Sequence, residues 1–180
     1  NRTLFDQIDI EPAKTHVPDG MAENPLAEGP RYEVAIAVAG GIDLQVLGIG
    51  TDGHIGFNEP TSSLGSKTRV KTLTKRTLED NARFFQPDEF QPQLAITMGI
   101  ATIMEARRIL LIATGEGKAQ AVRDTIEGPL ASVVPASVLQ MHEKATVLLD
   151  RAAASKLRLR DYYQFVSAIQ DDLVRKFRPS

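Results

Sequence analysis

The sequence predicts an α/β fold, a mostly parallel sheet with helices on both faces in the manner of a modified Rossmann domain. Three observations carry this expectation. Apolar runs too short for helices recur between segments of helical spacing, so strands and helices alternate along the chain. The run at 43–49 (DLQVLGI) is an uninterrupted core-type segment rather than an alternating one, the pattern of a buried parallel strand. It passes directly into glycine-rich turn chemistry, as strands of open α/β sheets do where they meet a ligand.

Taken in order, residues 5–10 and 15–18 read as a surface segment with a short strand, and Asp19-Gly20 as a turn. Pro30 suits the first turn of a helix that runs through Tyr32, Val34, Ala35, Ile36, Val38 and Ala39 to a stop at Gly40-Gly41. After the strand at 43–49, residues 60–65 are loop, 68–73 alternate as a strand should, and 77–85 have helical composition. Two further apolar strands, 95–98 and 107–114, flank a short helical stretch at 100–106. Residues 115–127 form a helix that starts on glycines, keeps Ala119, Val122 and Ile126 on one face, and stops at Gly128-Pro129. A short helix at 136–141 and a last strand at 145–149 follow. From 157 to 177, Leu159, Tyr162, Tyr163, Phe165, Val166, Ile169, Leu173 and Phe177 recur at helical spacing, predicting a long helix that closes the chain.

With 180 residues, 42% of them hydrophobic and 24% charged, the chain can bury one sizeable core as a single domain over 1–180. Lys and Arg number 21 against 23 Asp and Glu, so no global field favours nucleic acid or an acidic membrane surface, and any anion must be caught locally. The absence of cysteine removes disulfide and thiol chemistry and fits a reducing cytosol. No apolar run approaches membrane-spanning length and no signal pattern opens the chain, so a cytoplasmic location is expected.

The segment 47–60 (LGIGTDGHIGFNEP) is the most informative. Gly48, Gly50 and Gly53 match the spacing of a dinucleotide-binding fingerprint, but the residues that follow contain two breakers and no helical apolar face, and no acidic residue stands at the end of a second strand. The same segment places Asp52, His54, Asn58 and Glu59 at the carboxyl end of a strand. A histidine between carboxylates has its tautomer fixed and suits proton transfer. A polar turn that satisfies its own backbone is the alternative reading, favoured for Asp52 alone but not for the cluster. Separated histidine ligands of the kind zinc sites use are missing, which argues against a metal centre. For an anionic group, Arg83 and Lys118, the latter at a glycine-rich helix start, are the natural pair. Lys67, Arg69 and Lys71 alternate so as to share one side of a strand, which from spacing alone reads as a charged edge. His142 reads as structural, and Tyr162 and Tyr163 as packing residues with surface hydroxyls.

The run DGHIGFNEP, then Ser62-Ser63, SKTRVKTLT at 66–74 and NARFF at 81–85, closely resembles the glucosamine-6-phosphate deaminases, and the likeness extends from Leu4 through the last strand. The related phosphogluconolactonases are similar through Asp-Gly-His but lack the Phe-Asn-Glu-Pro found at 57–60. The resemblance implies the deaminase/phosphogluconolactonase type of α/β fold. It also implies conversion of glucosamine 6-phosphate to fructose 6-phosphate and ammonia, with no metal, nicotinamide or pyridoxal cofactor, because the opened sugar's carbonyl serves as electron sink. In this reading His54 relays a proton during ring opening, assisted and oriented by Asp52 and Glu59, and Arg83 and Lys118 hold the substrate phosphate. The allosteric bacterial members bind N-acetylglucosamine 6-phosphate at a subunit interface on positions matching Ser62, Arg69, Lys71 and Thr72. A homo-oligomer, often a hexamer, is implied as well.

Two runs expected from the same resemblance do not occur in the 180 residues: an Asp-Glu-Tyr run beside the aspartate that moves the C2 proton, and a Gly-Gly-Thr loop that completes the phosphate site. With Asn1 in first position, the expectation is a chain corresponding to the C-terminal two-thirds of the deaminase domain, with one sheet edge unpaired, part of the core exposed and turnover below a normal rate on its own. A non-catalytic sugar-phosphate sensor and a phosphogluconate lactonase are the alternative functions.

Overall fold

Each of the apolar runs between 43 and 149 becomes a strand, but the strands divide between two sheets. The computed structural model describes residues 5–86 and 88–177; Asn1 and Leu4 lie outside the described residues. The elements in chain order are α1 (Pro25–Val38), β1 (Gln45–Leu47), β2 (Arg69–Thr72), α2 (Lys75–Asn81), β3 (Leu94–Thr97), α3 (Ile100–Met104), β4 (Ile109–Ala113), α4 (Ala119–Ile126), β5 (Ala145–Leu149) and α5 (Arg160–Phe177). The main sheet has the order β1-β4-β5 and is wholly parallel, with Leu47 opposite Leu111 and Leu111 opposite Val147. β2 and β3 form a separate antiparallel pair with Arg69 opposite Thr97 and Thr72 opposite Leu94. The mostly parallel α/β fold is therefore present, and β3 belongs to the smaller sheet.

One face of the main sheet is the core. Leu47, Ile109, Leu111 and Ala113 point into it and meet Ile100 and Ile103 of α3, Val122 of α4, and Ala136, Val138 and Leu139 of a 3₁₀ segment at Pro135–Met141. The alternate residues Val46, Ile112 and Leu148 face the other way and are 54%, 38% and 56% exposed. β1 is thus a half-covered edge strand and not the fully buried one that its composition predicts. A parallel sheet ordinarily has both faces covered; the described residues cover this sheet closely on one.

Helix starts differ from expectation where a side-chain cap outweighs composition. α1 begins at Pro25, not Pro30, because Asn24 caps it by accepting from the Leu26 N–H at 3.2 Å while Pro25 takes the first helical position; Pro30 falls inside the helix. α2 begins at Lys75 because Thr74 accepts from the Thr77 N–H at 3.2 Å. The strand expected in the first eighteen residues is absent among the described residues, where short 3₁₀ turns at Phe5–Gln7 and Pro12–Lys14 stand instead. The helix expected from 115 opens as a 3₁₀ turn, Glu116–Lys118, before α4. α5 has its expected length, yet it does not close the core: Tyr162, Phe165, Leu173 and Phe177 are all exposed, so the reading of Tyr162 as a packing residue fails. No helix among the described residues is long and apolar enough to cross a membrane.

Polar clips join α1 to the start of β2 and to α3. Glu33 of α1 accepts from the Thr68 N–H at 2.9 Å, the Thr68 hydroxyl at 2.5 Å and the Thr102 hydroxyl at 2.6 Å. Burial pushes its carboxyl up, but these donors together with Lys67 leave it below its ordinary value. The contact of α1 with β2 also depends on Gly29, where a Cβ would lie 2.3 Å from the Thr68 carbonyl oxygen. Backbone cannot yield there as a flexible side chain would. Gly29→Ala is expected to destabilise the chain by about 3 kcal/mol, read as a lowered urea midpoint with little change in slope.

Candidate active site

The loop between β1 and Glu59 is built to seat a histidine ring against its own backbone. The Gly50 N–H donates to the His54 carbonyl at 2.9 Å and the Gly53 N–H to the Gly50 carbonyl at 3.1 Å, closing a tight curl. The imidazole of His54 then lies directly over Gly50, where a Cβ would fall 2.2 Å from Nδ1. The glycines therefore serve ring placement, and no helix opens from the loop for a dinucleotide pyrophosphate to cap.

His54 Nδ1 is 2.7 Å from Asp52 Oδ1 and 3.4 Å from Glu59 Oε2. With carboxylates on that side, Nδ1 carries a proton, and Nε2 is left as the free acceptor of a ring that borders the cleft. Asp52 Oδ1 also accepts from the His54 N–H at 3.2 Å, so the carboxylate holds both the ring and its backbone. Glu59 is buried; its Oε1 accepts from the Thr77 hydroxyl at 2.5 Å and Oε2 has no hydrogen-bond partner. Asp52, His54 and Glu59 place three potential ligand atoms within 4.8 Å of one another. A cation there would have to displace the Nδ1 proton that Asp52 holds, so the geometry suits proton transfer better than metal binding.

Asn58, grouped with these residues by sequence, does different work. It is fully buried, donates from Nδ2 to the Ile55 carbonyl at 2.9 Å and the Met98 carbonyl at 2.8 Å, and accepts from the Arg69 guanidinium at 2.9 Å. It ties the loop to the end of β3 and keeps the neighbouring Glu59 in place.

The cleft beside His54 has a volume of about 540 Å³ and is bordered by the loop glycines, by Thr77, Asp80 and Asn81 of α2, and by Arg83 and Lys118. That size suits a sugar phosphate. Arg83 and Lys118, distant in sequence, are brought to this one cleft, as expected of an anion grip. Arg83 leaves α2 through a short 3₁₀ turn with its guanidinium 4.8 Å from the Phe84 ring centroid. Lys118 ends the turn that follows Gly115, whose N–H donates to Asp150 at 2.9 Å. Backbone N–H groups of Ala153 and Gly115 hold the Asp150 carboxyl below its ordinary value.

The second group of residues is more dispersed. Ser62 is buried with an unpartnered hydroxyl, Arg69 is committed to Asn58, and Lys71 and Thr72 continue along β2. Lys67 stands before the strand and pairs with Glu105 at 2.6 Å and Glu33 at 3.6 Å, so the three basic residues do not present one free face. His142 is structural, as expected, with Nε2 2.8 Å from the Ala106 carbonyl and Nδ1 accepting from the Lys144 N–H at 3.1 Å.

Thr74, Thr77 and Asp150 escaped the sequence reading. The Thr-x-x-Thr spacing at 74–77 is a helix-start signal that could have drawn attention to the threonines. Nothing in the local sequence marks Asp150 as a partner of Gly115.

Comparison with known proteins identifies the family. Residues 1–148 match the family described as glucosamine-6-phosphate isomerases/6-phosphogluconolactonase. A glucosamine-6-phosphate deaminase of Shewanella woodyi is 57% identical over 180 residues, which are all of this chain and 68% of that protein. That of Colwellia psychrerythraea is 60% identical over 164 residues, covering 91% of this chain and 61% of the relative. Among solved structures, a monomeric glucosamine-6-phosphate deaminase superposes with a TM-score of 0.81 at 47% identity, over 84% of this chain and 63% of that one. The 6-phosphogluconolactonase of Trypanosoma cruzi, at 22% identity and a TM-score of 0.58 over 74% of this chain and 53% of its own, shares the fold. The chain thus spans about two-thirds of the length of the relatives it matches, and it belongs to the glucosamine-6-phosphate isomerase/6-phosphogluconolactonase family.

Proposed function

We propose that this chain is the larger part of a glucosamine-6-phosphate deaminase, converting glucosamine 6-phosphate to fructose 6-phosphate and ammonia. The observation that carries the reading is the cleft itself, with the Asp52–His54–Glu59 cluster and the cationic pair Arg83 and Lys118 on its border. The two cations hold the phosphate. His54 Nε2 exchanges a proton with the ring oxygen as the pyranose opens, while Asp52 and Glu59 steady the Nδ1–H and balance the charge that develops on the ring. A base then transfers the C2 proton to C1, water adds at C2 and ammonia leaves, with the substrate's own carbonyl as electron sink. The names of the relatives at 57% and 60% identity support this reading.

The base that moves the C2 proton belongs, in this proposal, to an upstream segment of the kind that the longer relatives carry. Residues 1–180 then form one α/β domain equivalent to the C-terminal two-thirds of the deaminase domain. The open sheet face at Val46, Ile112 and Leu148 supports this, since a further segment would cover it. Ammonia release from glucosamine 6-phosphate tests the function, measured with the chain alone and with the upstream segment of the Shewanella woodyi relative fused ahead of it. Release only from the fused protein is expected. Lactone hydrolysis without ammonia release would select the lactonase, and neither activity would select a sugar-phosphate sensor.

The unpartnered hydroxyl of Ser62 favours a second assignment, in which Ser62, Arg69, Lys71 and Thr72 bind N-acetylglucosamine 6-phosphate as an allosteric effector between subunits. An unchanged substrate saturation curve on adding that effector counts against it.

A further inference from the structure

The two oxygens of Glu59 are held unequally. Oε2 looks toward His54 Nδ1 at 3.4 Å with no hydrogen-bond partner, whereas Oε1 accepts a short bond from Thr77 Oγ1 at 2.5 Å and a long one from the Thr74 N–H at 3.5 Å. Thr77 is itself only 4% exposed, and its own hydroxyl accepts a hydrogen bond from Thr74 Oγ1 at 3.0 Å. That incoming bond occupies an acceptor position of Thr77 and leaves its single proton directed at Glu59. The chain of donors runs one way, from Thr74 through Thr77 to the carboxylate. Thr77 lies on the first turns of α2, and the same helix leads through one 3₁₀ turn to Arg83 at the cleft.

We propose that Thr77 is a positioning residue that fixes the Glu59 carboxylate beside His54, and that α2 thereby couples anion capture at Arg83 to the setting of the proton-transfer cluster. A guanidinium drawn onto a phosphate carries its helix with it. The shorter of the two bonds by which the start of that helix holds Glu59 is the Thr77 hydroxyl's, so an occupied phosphate site and an oriented carboxylate become one event. The significance of this coupling for turnover rests on the deaminase reading; the coupling itself does not.

The test separates the two. In the 180-residue chain, ring-nitrogen shifts of His54 are followed by NMR at fixed pH while inorganic phosphate is added. Phosphate is expected to move both shifts in the wild type and in Thr77→Ser, and to leave them unmoved in Thr77→Val, which keeps shape but lacks the donor. Thr77→Ala supplies the same comparison if the valine variant does not fold. A wild type that gives no response, or a valine or alanine variant that responds as the wild type does, overturns the proposal whatever the reaction proves to be. In the fused enzyme, Thr77→Val is expected to lower kcat by about tenfold with KM little changed, and Thr77→Ser to recover it. Equal loss in the serine and valine variants would reduce Thr77 to a packing residue. Absence of ammonia release from the unmutated fused enzyme would count against the deaminase reading alone, because the phosphate response needs no turnover.

Discussion

Exchanging His54 for glutamine in the fused enzyme is expected to lower kcat for ammonia release by about 10²–10⁴-fold while leaving KM nearly unchanged. Glutamine can still donate toward Asp52 from the space above Gly50, so the loop should keep its shape. What it cannot do is take up a proton and give it back. In the proposed site the phosphate is held by Arg83 and Lys118, which lie on other elements and are untouched by the exchange. The loss should therefore fall on the chemical step and not on binding. A reduction below tenfold would mean that some other group opens the ring.

Asn58→Leu is expected to have the largest effect on stability, about 3–4 kcal/mol, seen as a melting temperature lowered by roughly 10 °C. Leucine has a similar volume, so the cost is not a cavity. It arises because the Ile55 and Met98 carbonyls and the Arg69 guanidinium all lose a partner inside the protein. The alternation of Lys67, Arg69 and Lys71 suggests a free basic strand, yet Arg69 is already occupied by Asn58. A ligand at Arg69 would have to compete with that bond or add to it through the remaining guanidinium donors.

The legibility of this site in the sequence follows contact range. Asp52, His54 and Glu59 lie within eight residues, so their meeting is a property of one loop and could be read from the string. The parallel strands were legible for a similar reason, since each is a compact apolar run. The division of β2 and β3 into their own sheet was not, because pairing partners are chosen across the fold. Exposure misled twice, at β1 and α5: composition records what a segment could bury, and not whether a neighbour is present to cover it. The placement of α1 turned on one cap, where Asn24-Pro25 outweighed the more conspicuous proline five positions later. Thr77 stayed hidden because its importance lies in a partner eighteen residues away.

The difference between a local acid–histidine loop and the dispersed cationic pair proposed to hold phosphate bears on how such a protein can change over evolutionary time. The acid–histidine cluster occupies one short stretch that curls on its own glycines, with Asn58 and Glu59 tying its far end to Met98, Arg69 and Thr77. Arg83 and Lys118 arrive from separate elements and keep their places only while the whole layered architecture persists. Under the proposed assignment, anion capture therefore depends on more of the fold than the proton-transfer cluster does. A descendant that altered only Asp52 and His54 would, under the proposed assignment, be expected to keep Arg83 and Lys118 at the cleft while losing the group that moves the proton.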